Sequence, residues 1–196
     1  MEDRRSYTQV ARAEGRDRNH ASLLEAAEQA FFAGRWQDSS LEAIAADAGV
    51  TKQTLLRHFG SKENMLAQMY QRGFAQVHEQ RMGAPGDDID AAVDNLLDHY
   101  GDLGERALRL ATMDGDPQIA AIVQAARELH YGWVDHAFGT WLEPLRAGDR
   151  RRRRSALIAL CDVNTWWLLS HDLSLDRSRV RATLIFAIRR LLEEQT

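Results

Sequence analysis

Lys52, Gln53, Thr54 and Arg57 stand close together in the stretch "VTKQTLLRHFGSKENML", Val50–Leu66. These side-chain types can read the edges of nucleic-acid bases. Lysine donates to guanine acceptors, glutamine pairs with adenine, and threonine offers a hydroxyl to bases or a methyl to thymine. Leu56 beside them offers an apolar contact of the same kind. Such chemistry needs one rigid presentation, with the polar residues outward and the back of the element held in a core. Leu55 and Phe59, four apart, supply that back if the stretch is helical.

The elements that must position these residues are legible on either side. Ser39 stands three residues before Glu42, the spacing of a capping box that opens a helix. Leu41, Ile44, Ala45 and Ala48 repeat at helical steps, and Gly49 closes the pattern. Glycine accepts the positive φ of a sharp reversal. Val50 then turns inward and Thr51 caps the second helix. Two short helices around a tight glycine turn form a helix-turn-helix. In that motif the first residues of the second helix reach base edges. Ser61 caps the helix that follows, and its free N–H groups with Lys62 make a phosphate site. Capped helix pairs with a glycine between them also occur in proteins that never touch DNA. The joint pattern of core and groove-compatible positions is what favours the nucleic-acid reading.

The remaining chain is helical throughout. Leu23, Leu24, Ala27, Ala30 and Phe31 form one stripe; Met65, Leu66, Met69, Tyr70, Phe74 and Val77 form another. "GAPGDD", residues 83–88, is the best linker candidate. Beyond it the spacing predicts a helix from Ile89 to Tyr100 and a short one from Glu105 to Met113. Asp116-Pro117 opens another, which runs to about Glu143. Arg150–His171 and Asp176–Glu194 complete the set. The expected fold is all-α, with about nine helices. Its expected organisation is a flexible, arginine-bearing arm over 1–18, a three-helix DNA-binding domain over 19–64, and a second helical domain over 65–196.

Composition narrows the function classes. The 196 residues are 44% hydrophobic and 28% charged, ordinary for a globular protein. The formal charge of −4 argues against nucleic-acid binding through overall charge, although not against a local basic surface. No apolar run approaches the roughly 20 residues needed to span a bilayer. The N-terminus lacks the apolar region of a secretory signal. Cys161 is the single cysteine and reads as a buried thiol. A cytoplasmic location is expected. No phosphate loop, zinc-protease motif or nucleophile elbow occurs, so neither catalysis nor a cofactor is expected. His130 and His136, six apart, sit on different sides of a helix and make no metal site.

The segment "SSLEAIAADAGVTKQTLLRHFGSKENML" resembles the DNA-binding segment of the tetracycline-repressor (TetR) family of bacterial transcription regulators. "LLEAAEQAFFAGRW" is similar to that family's first helix, and the resemblance runs from about Asn19 to Gly73. Where the family most often has tyrosine, this chain has Leu56. A weaker resemblance to the last two helices of some members covers "CDVNTWWLLSHDLSLDRSRVRATLIFAIRRLL". The resemblance implies a homodimer on a palindromic double-stranded operator, and a small-molecule effector bound by the second domain. It carries the recognition role to Lys52, Gln53, Thr54 and Arg57, and phosphate contacts to His58 and Lys62.

In the second domain, Tyr100, Met113, Trp133, Phe138, Trp141, Trp166 and Trp167 form an aromatic-rich set. Asp162 and Asn164 lie within an apolar helix, where buried polar groups need partners. They can orient a ligand in a mostly apolar pocket. Each of these residues also reads as ordinary core or interface. A dimer face of suitable spacing is offered by Leu157, Leu160 and Leu168, and by Val180, Leu184, Ile188 and Leu191. The same residues fit a monomer core. The run Arg150–Arg154 reads as a solvated face. The sequence reading is thus a ligand-responsive repressor. Its rivals are a regulator without an effector and a helical binding protein that no longer reads DNA.

Overall fold

The computed structural model describes residues 2–36, 38–111 and 117–193. Met113 and Asp116 lie outside them. Among the described residues there are nine α-helices and no strand. They are α1 (Glu2–Phe32), α2 (Leu41–Asp47), α3 (Lys52–Phe59), α4 (Lys62–Met82), α5 (Ile89–Ala111), α6 (Pro117–Leu142), α7 (Ala147–Leu160), α8 (Val163–Trp167) and α9 (Arg177–Glu193). No described helix is long and apolar enough to cross a membrane.

The chain divides into two compact units, Met1–Gly73 and Phe74–Thr196. Both this division and the boundary expected at residue 64 fall inside α4. "GAPGDD" therefore joins α4 to α5 within the second unit, with Ala84 buried. In the first unit α1 reaches back to Glu2 through the segment expected as an arm. The glutamate, arginine and alanine residues there are good helix formers.

The first unit's core joins Leu23, Ala27 and Phe31 of α1 to Ile44, Leu55 and Phe59, all at most 2% exposed. Phe31 also meets Trp36 edge-on at 6.2 Å. The cap of α2 departs from expectation by one residue. Ser40, not Ser39, accepts from the Ala43 N–H at 3.1 Å. The capping-box spacing to Glu42 therefore goes unused, and Glu42 is left for another partner.

In the second unit, α5 and α6 pack with α7, α8 and α9 around Leu96, Trp133, Phe138, Leu157 and Ile188. Two sequence expectations fail here. The helices expected over 89–100 and 105–113 are one helix, α5. Gly101 and Gly104 do not break it. Gly104 instead admits a neighbour: a Cβ there would lie 2.4 Å from the Trp166 ring. Conversely, the helix expected over Arg150–His171 is broken at Cys161-Asp162. Asp162 caps α8 by accepting from the Asn164 N–H at 2.9 Å. α8 then passes into a π-helical turn, Leu168–Asp172.

Three members of the arginine run act as struts, while Arg151 and Arg152 keep the exposed face expected of it. Arg150 donates to the carbonyls of Leu142, Glu143 and Leu145, closing the end of α6. Arg153 donates to the Leu191 and Leu192 carbonyls near the end of α9, at 2.6 and 3.0 Å. Arg154 grips both carboxylate oxygens of Asp135, at 2.6 and 2.8 Å. Cations at helix C-termini also complement the helix dipole. A second ladder links α5 to α9: Arg181 pairs with Asp90 and Asp94, Arg177 with Asp98, and Arg189 with Asp90.

The Gly104 notch is open to test. Gly104→Ala forces the Trp166 indole to move and lowers the unfolding free energy by about 1–3 kcal/mol, as overpacking does. Chemical denaturation together with the near-UV circular dichroism of the tryptophans measures it. Wild-type values on both would refute the notch.

Candidate functional site

α3 exists because its start and its back are both fixed. Thr51 takes an extended conformation (φ −86°, ψ 153°), and its Oγ1 accepts from the Thr54 N–H at 3.2 Å. Gly49, with φ of 70°, supplies the reversal that delivers Thr51 to this position. The two threonine hydroxyls lie 3.1 Å apart, so Thr51 and Thr54 are partly occupied with each other. Leu55 and Phe59 are 0% and 2% exposed. Lys52, Gln53, Leu56 and Arg57 are exposed on the outside. Leu56 stands among the few exposed large apolar side chains.

The cations expected at this surface are not all free. Lys52 Nζ donates to Glu42 Oε1 at 2.6 Å. That bond is the main cause holding the Glu42 carboxyl below its ordinary range. Both side chains are largely exposed, and such pairs hold weakly. Lys62 is engaged more deeply. Its ammonium donates to the Trp36 carbonyl and, at 2.7 Å, to the Ser39 carbonyl. It also lies 4.9 Å from the centre of the Trp36 ring. Lys62 thus ties the start of α4 to the α1–α2 connection. His58 turns toward α1, its ring 5.7 Å from His20. Its Nε2 is buried without a hydrogen-bond partner among the described residues. Burial, then the His20, Arg57 and Arg16 charges, lowers its pKa. Of the expected contacts, Gln53, Leu56 and Arg57 share the open face. Lys52 shares it through a weak pair, and His58 and Lys62 turn inward.

A second constellation lies in the core of the second unit. Tyr100, Trp133 and Phe138 are buried together, and Trp166 packs against them. The Tyr100 and Trp166 ring centroids are 5.5 Å apart; Trp133 meets Phe138 edge-on at 5.7 Å. Tyr100 donates its hydroxyl proton to the Cys161 carbonyl at 2.9 Å. Trp167 stacks on His171 at 3.6 Å instead. Asn164 is exposed and donates to Asp162, so this pair stabilises the helix break. Leu157, Val180, Leu184 and Ile188, expected at a dimer face, are at most 2% exposed within the unit's own core. Leu160 and Leu191 are half-buried, and Leu168 is exposed.

Sequence reading missed the polar members of this core. Arg81 is 3% exposed, the one charged residue in the buried class among those described. Its guanidinium carbon lies 4.1 Å from the centre of the Trp133 ring. One of its terminal nitrogens is 3.3 Å from His130 Nδ1. His130 Nε2 faces the Ile158 carbonyl at 2.9 Å. A carbonyl only accepts, so Nε2 carries the proton and Nδ1 accepts from Arg81. Burial pushes His99 down to about 3, helped by the Arg81 and His130 charges. It also pushes the Cys161 thiol up to about 12. The sequence does carry a signal for Arg81. Tyr70, Phe74, Val77 and Arg81 fall at steps of four, three and four, on the apolar stripe of α4. His136 is occupied by backbone, its Nε2 lying 2.8 Å from the Ala84 carbonyl. Among the described residues no group of three or more His, Cys, Asp or Glu side chains could hold a metal ion.

Against known proteins, the model of the family described as "Bacterial regulatory proteins, tetR family" matches residues 23–69. No curated protein matches the chain. Solved structures share its fold. A TetR-family regulator from Streptomyces coelicolor is 21% identical, with 91% of this chain and 96% of that one covered and a TM-score of 0.53. The fatty acid degradation regulator FadR from Bacillus halodurans is 16% identical, over 88% and 94%, with a TM-score of 0.59. Another tetR-family transcriptional regulator from Streptomyces coelicolor is 17% identical, over 89% and 80%, with a TM-score of 0.58.

Lys62→Met should lower the stability of the first unit by about 1–3 kcal/mol, because two carbonyls are deprived of a charged donor. Denaturant titration checks it; unchanged stability would mean the ammonium is not a strut. Acid gives another test. The unfolded chain protonates His99 near its ordinary pKa of 6.5, whereas the folded core resists until about 3. The unfolded state therefore binds more protons below 6.5, and stability present at neutral pH is lost as pH falls. His99→Gln flattens this dependence between about pH 6.5 and 4.5, above the carboxylate range. An identical slope in wild type and variant would exclude His99.

Proposed function

We propose that the chain is a transcription regulator that reads operator DNA through α3, in keeping with the tetR-family match over residues 23–69. The observation that carries this reading is the division of α3 into a buried back, Leu55 and Phe59, and an open front of Gln53, Leu56 and Arg57. Gln53 supplies a bidentate amide for adenine and Leu56 a surface for a thymine methyl. Lys52 exchanges Glu42 for a guanine edge, since the exposed ion pair opens readily. Arg57 reaches the sugar–phosphate backbone, which sets register without reading sequence.

The regulator acts as a homodimer on a palindromic site, with recognition helices about 34–36 Å apart in successive major grooves. Apolar surface supports self-association: Phe186 is 65% exposed and Leu168 48%. Half-buried Leu160 and Leu191 are further candidates for that face. A small molecule in the second unit, against Tyr100, Trp133 and Trp166, favours a conformation that cannot bind the operator, which makes the protein a repressor. Coupling of roughly 1–3 kcal/mol suffices for such a shift. α4 is the lever, because it carries residues of both units.

Footprinting on the DNA upstream of the protein's own coding region, with sedimentation at the same concentrations, tests this. Lys52→Ala with Gln53→Ala relaxes sequence discrimination by ~1–3 kcal/mol for each base-reading side chain removed. An unchanged footprint in the double variant would remove α3 as the reader. A monomer protecting a single half-site would remove the dimer.

A further inference from the structure

Arg81 presents an unsolved problem of charge. A guanidinium stays protonated at any pH the protein meets. At 3% exposure it has little water, and burying a charge is unfavourable unless an opposite charge pairs with it. Among the described residues no carboxylate does so. Its neighbours are the Trp133 face, the Tyr100 ring and hydroxyl, His130 Nδ1 and Cys161. Each of these is neutral near pH 7: burial raises Tyr100 and Cys161 and lowers His130. His99, on the same side, is neutral as well. The nearby Asp162 is engaged as the cap of α8. The α5 acids Asp90, Asp94 and Asp98 are each taken by an arginine of α9. Two buried donors on touching side chains, Arg81 Nε and Trp133 Nε1, have no acceptor among the described residues.

We propose that this core is a receptor for an organic monocarboxylate with an apolar or aromatic body, its carboxylate held by Arg81 and its body among Tyr100, Trp133, Phe138 and Trp166. This rests on the reading that the second unit takes a small-molecule effector, and it names that effector's class. A carboxylate matches the planar guanidinium fork and brings the missing negative charge. The surrounding rings exclude water and so strengthen the pair. Trp166 is the movable wall: it is half-buried, it sits between a helix break and a π-helical turn, and only the absence of a side chain at Gly104 gives it room. Arg81 lies in the last turn of α4 and Lys62 in the first, so a ligand that draws in Arg81 acts on the same rod that fixes the first unit's loop.

The test uses the full chain and calorimetric titration at pH 7 with 1-naphthoate, 3-phenylpropanoate and cyclohexanecarboxylate, each beside its uncharged methyl ester. At least one acid should bind tenfold or more tighter than its ester, and that acid should release operator in the footprinting assay. Arg81→Met keeps the bulk, removes the charge and should make acid and ester bind alike. Its cooperative thermal unfolding shows that it folds despite the lost His130 contact; Arg81→Gln provides a second folded variant. Esters binding as well as the acids would overturn the carboxylate receptor and leave the effector reading standing. No binding by any of the six compounds would overturn the receptor. In that case the effector reading is judged separately, by whether neutral compounds shift the operator footprint. An acid that binds Arg81→Met as tightly as wild type would overturn the role of Arg81.

Discussion

Thr51 can open α3 only because Gly49 turns the chain with φ of 70°. A side chain at that φ would be strained, and the turn would have to open. Everything at the candidate interface follows from this junction. It sets the rotational phase of α3, so that Leu55 and Phe59 meet the core and the residues between them meet solvent. A one-residue change of phase would bury Leu56 in place of Leu55 and turn Phe59 out of the core. Lys62 then locks the far side. By holding the Trp36 and Ser39 carbonyls it satisfies backbone acceptors between α1 and α2, and fixes where α2 begins.

The second unit is organised by arginines in two opposite ways. On its surface, Arg150, Arg153 and Arg154 satisfy helix ends and an aspartate, while Arg177, Arg181 and Arg189 pair with the acids of α5. Arg181 holds Asp94 below the ordinary carboxylate range. These contacts are partly solvated, so each contributes little by itself, and their value lies in fixing the helices' mutual register. In the interior, Arg81 has aromatic faces and a neutral histidine but no anion among the described residues. The first arrangement closes its charges within the chain. The second leaves a buried charge without an anion beside it among the described residues.

The same contrast explains where sequence reading failed within the fold. Gly101 and Gly104 look like a break, yet α5 runs through them because Trp166 fills the space that Gly104 leaves. The stretch Arg150–His171 looks continuous, yet Asp162 caps a new helix inside it. An aspartate amid apolar residues reads as a buried polar group needing a ligand. Here it needs only the N–H two residues on. Ser39 stands at capping-box spacing before Glu42. The structure uses Ser40, which leaves Glu42 facing Lys52.

By itself the sequence determined the all-α class, most helix positions, the helix-turn-helix and the faces of α3. Those features rest on interactions three or four residues apart, which the order of residues displays directly. Tertiary structure alone decided which cations are free. Lys62, His58, Arg150, Arg153 and Arg154 have the composition of a solvent-facing or DNA-facing surface, but partners five to 39 residues away claim several of them. It also decided that four apolar residues of the expected dimer face belong to the unit's own core, and that Arg81 is buried with no anion beside it among the described residues. Those outcomes depend on which helices meet, a long-range choice that local periodicity does not encode.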